Sequence, residues 1–102
     1  MTARSTLIVI AAAKAKPGQE KKLEQALCEV AGPTRAQPGC ELFSLYRSLE
    51  HASTIIGFER WVSREHHARH LQGTHVQTLM SAMSDLVAEP PQILLYEVLN
   101  EK

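Results

Sequence analysis

Four of the chain's five histidines, His66, His67, His70 and His75, fall within residues 66–75. Neutral imidazole suits both general-base chemistry and metal binding near neutral pH. His66 and His70 stand four apart, which on a helix puts them on one face. A metal is still not expected, because neither HExxH nor a carboxylate third ligand occurs at a familiar spacing. His66 and His67 read as part of a solvated helix face. His70 lies beside the Gly73 turn. It reads either as a base or substrate contact in a pocket, or as a structural histidine held by a hydrogen bond. The same two readings apply to His75.

Glu59 stands in an otherwise apolar run, and buried carboxylates are rare unless paired or hydrogen-bonded. Strand alternation places Glu59 and Trp61 on one face, with Phe58 and Arg60 on the other. A histidine paired with Glu59 would be oriented and made more basic. The alternative is a structural contact with a helix N-terminus. Phe43, Tyr46, Trp61 and Tyr96 supply most of the aromatic surface for a flat substrate, though each also suits a core. Arg35 and Arg47 could meet an anionic group or simply be solvated. Cys40 reads as a small buried hydrophobe, since no activating neighbour is visible.

These residues need a scaffold, and the length bounds it. A chain of 102 residues fits one domain, 1–102. Eleven Lys+Arg balance eleven Asp+Glu, which argues against nucleic acid as the main partner. No apolar run approaches the roughly 18 residues of a membrane span, so no membrane partner is expected. Two cysteines make no disulfide framework, and a reducing, cytoplasmic home follows as the expectation. Arg4 followed by the apolar run Leu7–Ala13 mimics a short signal peptide. The run reads better as a first strand, because it is the best β-branched segment before the first helix.

Residues 6–13, 41–48, 54–61 and 92–99 read as strands. Pro17-Gly18 opens a helix whose apolar face is Leu23, Ala26, Leu27 and Val30. Gly32-Pro33 should weaken or break it, and Pro38-Gly39 should end any continuation. Ser63 caps a helix running to about His70. Thr74 and Gln77 have capping-box spacing for a further helix. That helix would bury Val76, Leu79, Met80, Met83, Leu86 and Val87 before Pro90-Pro91 stops it. The order is βαββαβ with the second helical region broken in two, the split βαβ, ferredoxin-like pattern. It predicts an α+β fold with a four-stranded antiparallel sheet and helices on one face. The other face would be left apolar, and a homodimer is the simplest cover for it.

Gly39-Cys40 opening a strand, Glu59-Arg60-Trp61-Val62-Ser63, and His70-Leu71-Gln72-Gly73-Thr74-His75 together resemble the antibiotic biosynthesis monooxygenase (ABM) domain. Lys16-Pro17-Gly18 and the stretch 32–39 are similar to it as well, so the resemblance covers nearly the whole chain. It implies a dimeric ferredoxin-like fold. The His-Leu-Gln-x-x-His segment is most similar to small quinol monooxygenases, which oxidise hydroquinones with molecular oxygen and no cofactor. A second branch isomerises phosphorylated autoinducer-2. A third degrades haem, using an Asn, a Trp and a haem-ligating His where this chain has the Asn-free strand Leu7–Ala13, His70 and Met80; haem degradation is therefore not expected.

The reading that follows is a homodimeric, cofactor-independent monooxygenase acting on a hydroquinone or polycyclic phenol with O2. His70 and Glu59 are its catalytic residues. Trp61, Phe43, Tyr46, His75 and Arg47 contact substrate, and no metal or other cofactor takes part. The alternatives are the phosphorylated-metabolite isomerase and a non-catalytic ligand-binding dimer on the same fold.

Overall fold

The strand Thr54–Trp61 alternates between half-buried and buried residues without a break. Ile55, Gly57, Glu59 and Trp61 point inward; Thr54, Ile56, Phe58 and Arg60 point the other way. In the computed structural model, which describes residues 6–101, this strand is β3 of eight elements. They run β1 (Leu7–Lys14), α1 (Glu20–Glu29), α2 (Ala31–Arg35), β2 (Cys40–Arg47), β3 (Thr54–Trp61), α3 (Arg64–Leu71), α4 (Thr74–Met83) and β4 (Gln92–Glu97). The sheet order is β2-β3-β1-β4, antiparallel throughout. This is the ferredoxin-like α+β architecture that the element order predicts.

Strand register fixes which residues share the inner face. Val9 pairs with Glu59, Ala11 with Gly57 and Ala13 with Ile55. Phe43 and Leu45 extend the first two rows through β2. Leu95 and Ile93 extend them through β4. Successive rows lie about 7 Å apart. The row carrying Ala11 and Gly57 has almost no side-chain volume at its centre, and the space above it stays open.

Packing divides around that space. At one end Ala13, Ala15, Leu23, Ile55, Met83 and Val87 form a core cluster. At the other, Leu7, Val9 and Trp61 pack together. Val30, Ala31 and Phe43 close the β2 side. Half-buried Cys40 joins the last two clusters, and burial pushes its thiol pKa up, away from thiolate chemistry.

Several boundaries differ from the sequence reading. Gly32-Pro33 does divide the first helical region, but helix resumes at once as α2. Pro33 sits in its first turn, where a missing N–H costs nothing. The capping box at Thr74 does not form. Gly73 is the N-cap, and Gln77 donates to the Leu71 carbonyl instead (2.8 Å). The last helix ends at Met83, not near Pro90. Leu86 and Val87 reach the core from the turn that follows, where both backbone N–H groups donate to the Met83 carbonyl. The Ser63 cap forms as expected, accepting from the His66 N–H. Among the described residues, no helix is long and apolar enough to cross a membrane.

Candidate active site

The open space above Ala11 and Gly57 is a cavity of about 100 Å³ between the sheet and α1, α3 and α4. Three polar side chains reach its wall: Glu59, His67 and His70. Every other lining residue is apolar, and none is Lys or Arg.

Each polar group is held by a neighbour. Glu59 comes from β3 and is 7% exposed. Its Oε1 accepts from Trp61 Nε1–H at 2.8 Å. Burial raises the Glu59 pKa, and the Trp61 hydrogen bond pulls partly the other way. His67 and His70 stand three apart on α3, on the face that also carries Leu71 to the cavity. His70 Nδ1 lies 2.5 Å from Gln37 Oε1. An amide oxygen only accepts, so Nδ1 carries the proton and Nε2 keeps a free lone pair. Burial, then neighbouring His67 and His75, lowers the His70 pKa to about 4. The ring is therefore neutral at pH 7. Burial also lowers the pKa of His67, whose Nε2 sits 4.0 Å from Glu59 Oε1, beyond hydrogen-bond reach.

The indole of Trp61 is the common support. It is fully buried, lies 4.8 Å from the His70 ring and 5.8 Å from the His67 ring, and donates to Glu59. It stands behind the wall and does not line the cavity. Among the described residues with side chains in the interior, no buried polar atom lacks a partner. Among the described residues, Glu59 Oε2 and His70 Nε2 have no hydrogen-bond partner, and both side chains line the cavity. No three His, Cys, Asp or Glu side chains among the described residues group to hold a metal.

The residues singled out from sequence divide accordingly. Glu59, His70 and Phe43 meet at the cavity. Trp61 orders two of them from behind. His75 stands one layer out, its ring 5.8 Å from His70 and its Nε2 3.2 Å from the Thr34 hydroxyl. Tyr46 pairs with Ile56 on the opposite sheet face and is 57% exposed, so it cannot reach this cavity. Arg47 lies at the surface, bidentate on Glu24 at 2.6 and 2.7 Å, and is also outside it. Arg35 is spent on the Phe43 carbonyl.

Three contributors were not read from the sequence. His67 is buried, contrary to the solvated face expected of it. The signal was Leu71: counting back four residues from that apolar position gives His67, not His66. His66 instead packs on Gly39, whose φ of +85° and close approach to that ring both require glycine. Gln37 supplies the orienting contact on His70 expected of Glu59, and it lies in a loop with no local signal. Gly57 makes the floor, and a glycine inside a strand does mark a close backbone approach.

Fold and cavity together define a ferredoxin-like α+β protein with a mostly apolar cavity between sheet and helices. Residues 6–82 match the family described as "Antibiotic biosynthesis monooxygenase", and the chain belongs to that family. It is 28% identical over 97 residues to a Mycobacterium tuberculosis protein named "Putative monooxygenase Rv0793", covering 95% of both chains. The solved structure of Rv0793 superposes with a TM-score of 0.90, covering 95% of this chain and 98% of that one. PA3566 of Pseudomonas aeruginosa shares the fold at a TM-score of 0.90 and 23% identity, covering 98% of this chain and 100% of that one. The uncharacterized protein sll1783 of Synechocystis is 27% identical over 95 residues. There the match takes in 90% of this chain and 63% of the longer relative.

Proposed function

We propose that this protein is a cofactor-independent monooxygenase that oxidises a phenol of the hydroquinone type with O2. One observation carries the reading: an apolar cavity whose polar atoms are confined to Glu59, His67 and His70. Such a site suits a neutral aromatic ring bearing hydroxyl donors. A phosphorylated substrate, which the isomerase alternative requires, would find no Lys or Arg on the wall. The volume favours one ring over the polycyclic phenol considered beside it. An apolar cavity of roughly 150 Å³ admits benzene, and this one is smaller. Met80 and Met83, both lining it, are flexible enough to yield the remaining room.

In this mechanism His70 Nε2 accepts the hydrogen bond of the phenolic O–H. A pKa of about 4 makes His70 too weak to deprotonate a resting phenol. The proton moves with an electron instead. Transfer of one electron to O2 leaves a ring whose O–H is far more acidic, and His70 takes that proton. The imidazolium then faces superoxide in a dry site, where their attraction is strong. The two radicals join at a ring carbon, and His70 returns its proton to the peroxide. Loss of water leaves a quinone with one oxygen atom from O2; the other departs as water. The substrate supplies all four electrons. The chain's tasks are positioning, proton handling and water exclusion.

The reading includes a homodimer. Ile8, Ile10, Ile56, Phe58, Leu94 and Tyr96 share the sheet face that no helix covers, and Leu94 and Tyr96 are 47% and 45% exposed. Burying that face against a second copy removes it from water. Two unpaired cysteines, Cys28 on the surface and Cys40 half-buried, fit a reducing cytoplasm.

Oxygen uptake with a one-ring hydroquinone, corrected for autoxidation and run with a chelator, tests the proposal. Uptake proportional to enzyme and indifferent to chelation supports it. Binding without uptake would leave a ligand-binding protein in its place.

A further inference from the structure

Two stretches that stand out in the sequence, 32–39 and 70–75, are far apart in the chain, and of their residues only His70 and Leu71 line the cavity. In the fold they meet. Residues 34–37 lead out of α2 and lie against the junction where α3 ends and α4 begins. Two side-chain hydrogen bonds join them. Gln37 Oε1 accepts from His70 Nδ1 at 2.5 Å, and the hydroxyl of fully buried Thr34 meets His75 Nε2 at 3.2 Å. The backbone of Gln37 is held on both sides: its N–H donates to the Thr34 carbonyl at 3.0 Å, and its carbonyl accepts from the Cys40 N–H at 3.2 Å. Across the contact, the Gly73 N–H donates to the His70 carbonyl at 3.0 Å.

Gly73 sits between the two side-chain bonds. Its φ of −67° is open to any residue, so the glycine answers a need for room. A β-carbon there would stand 3.2 Å from the His70 carbonyl oxygen, 3.2 Å from His75 Cε1 and 3.3 Å from Gln37 Nε2, each closer than an ordinary contact. The carbonyl is fixed by the α3 turn, so the His75 ring and the Gln37 amide are the groups that would move. The tautomer of a neutral imidazole is set by the hydrogen bond that one of its nitrogens makes. With an amide oxygen on Nδ1, the bare Nε2 is left for the cavity. With that amide displaced, nothing holds the proton on Nδ1. We propose that Gln37 and Gly73 are positioning residues for His70: Gln37 fixes which ring nitrogen carries the proton, and Gly73 leaves the room in which Gln37 does so. The positioning holds whatever occupies the cavity; its effect on turnover rests on the phenol reading above.

NMR of the isotope-labelled imidazole nitrogens tests this in the intact, ligand-free protein, in mildly alkaline buffer that keeps the rings neutral. His70→Gln identifies the His70 signals by their loss. Wild type should carry the His70 proton on Nδ1. Gln37→Leu should move it towards Nε2, cutting the share of rings with a bare Nε2 by roughly three- to tenfold, the ratio that one hydrogen bond supports. Gly73→Ala should shift the same signals in the same direction, with circular dichroism unchanged. Gln37→Glu keeps an acceptor oxygen and should keep the proton on Nδ1. Oxygen uptake should fall in Gln37→Leu by the factor seen in the tautomer. A His70 proton on Nε2 in wild type, or a tautomer unmoved by Gln37→Leu, would overturn the proposal. A tautomer that answers to Gln37→Leu and not to Gly73→Ala would overturn the part given to Gly73. Tautomer shifts as expected in a protein that takes up no oxygen would refute the phenol reading and leave the positioning standing.

Discussion

His70 and Glu59 are shifted in opposite directions by the same cause, burial in one cavity wall. Their effects on stability should therefore oppose each other with pH. His70 titrates at about 4 in the folded chain and near 6.5 when unfolded. Between those values the unfolded state binds the extra proton, so stability falls as pH drops from 6.5 towards 4. Glu59 holds its proton more tightly when folded, so it favours the folded state as pH drops towards its unfolded value near 4.5. Thermal melts from pH 7 to 4 should show the midpoint falling in the wild type. His70→Gln should flatten that fall and Glu59→Gln should steepen it; the reverse pairing would refute the burial account. The density of histidines was visible in the sequence, and so was Glu59 as a misplaced carboxylate. What could not be read was which imidazole turns inward. His66 and His67 are neighbours in the chain, and only the roll of an eight-residue helix separates a half-buried ring on Gly39 from a buried one in the cavity.

At the scale of elements, β3 was the most legible. Its bounds, Thr54–Trp61, and the placing of Glu59 with Trp61 on one face were both plain from the sequence. Helix ends were less so, because turns with several solutions decide them. Thr74-x-x-Gln77 has the spacing of a capping box, yet the chain enters α4 through extended Gly73, which places Thr74 inside the helix and releases Gln77 to the Leu71 carbonyl. The α3 start is better determined. Ser63 accepts from the His66 N–H, and its hydroxyl also meets His66 Nδ1 at 2.7 Å. Ser63→Ala should cost about 1 kcal/mol in a denaturant melt and loosen the helix that carries both cavity histidines. Gly57→Ala probes the sheet side. Its strand position needs no positive φ, so the fold should hold or gain slightly in stability while activity drops. A loss of both together would mean that Gly57 serves packing and not the cavity.

The whole molecule presents two unlike sheet faces. One is covered by helices and forms the floor of the cavity. The other carries Ile8, Ile10, Ile56 and Phe58, and none of the described helices covers it. The sequence made this asymmetry legible, since all four strands are apolar on both sides while there are helices for only one. It did not show where Tyr46 and Arg47 go, because strand parity alone leaves open which set faces the helices. Sedimentation equilibrium at micromolar concentration should give twice the 11.3 kDa chain mass, and Phe58→Arg should return the monomer. A wild-type monomer would reject the second copy as the cover. The claim that joins all three scales is that a phenol held in this cavity gives its proton to His70 as it reduces O2. Oxygen uptake by His70→Ala, measured beside wild type and His66→Ala with circular dichroism as the folding control, tests it most directly. The account predicts a loss of about 10²–10⁴-fold for His70→Ala and little change for His66→Ala. Equal, small losses in the two variants would contradict it.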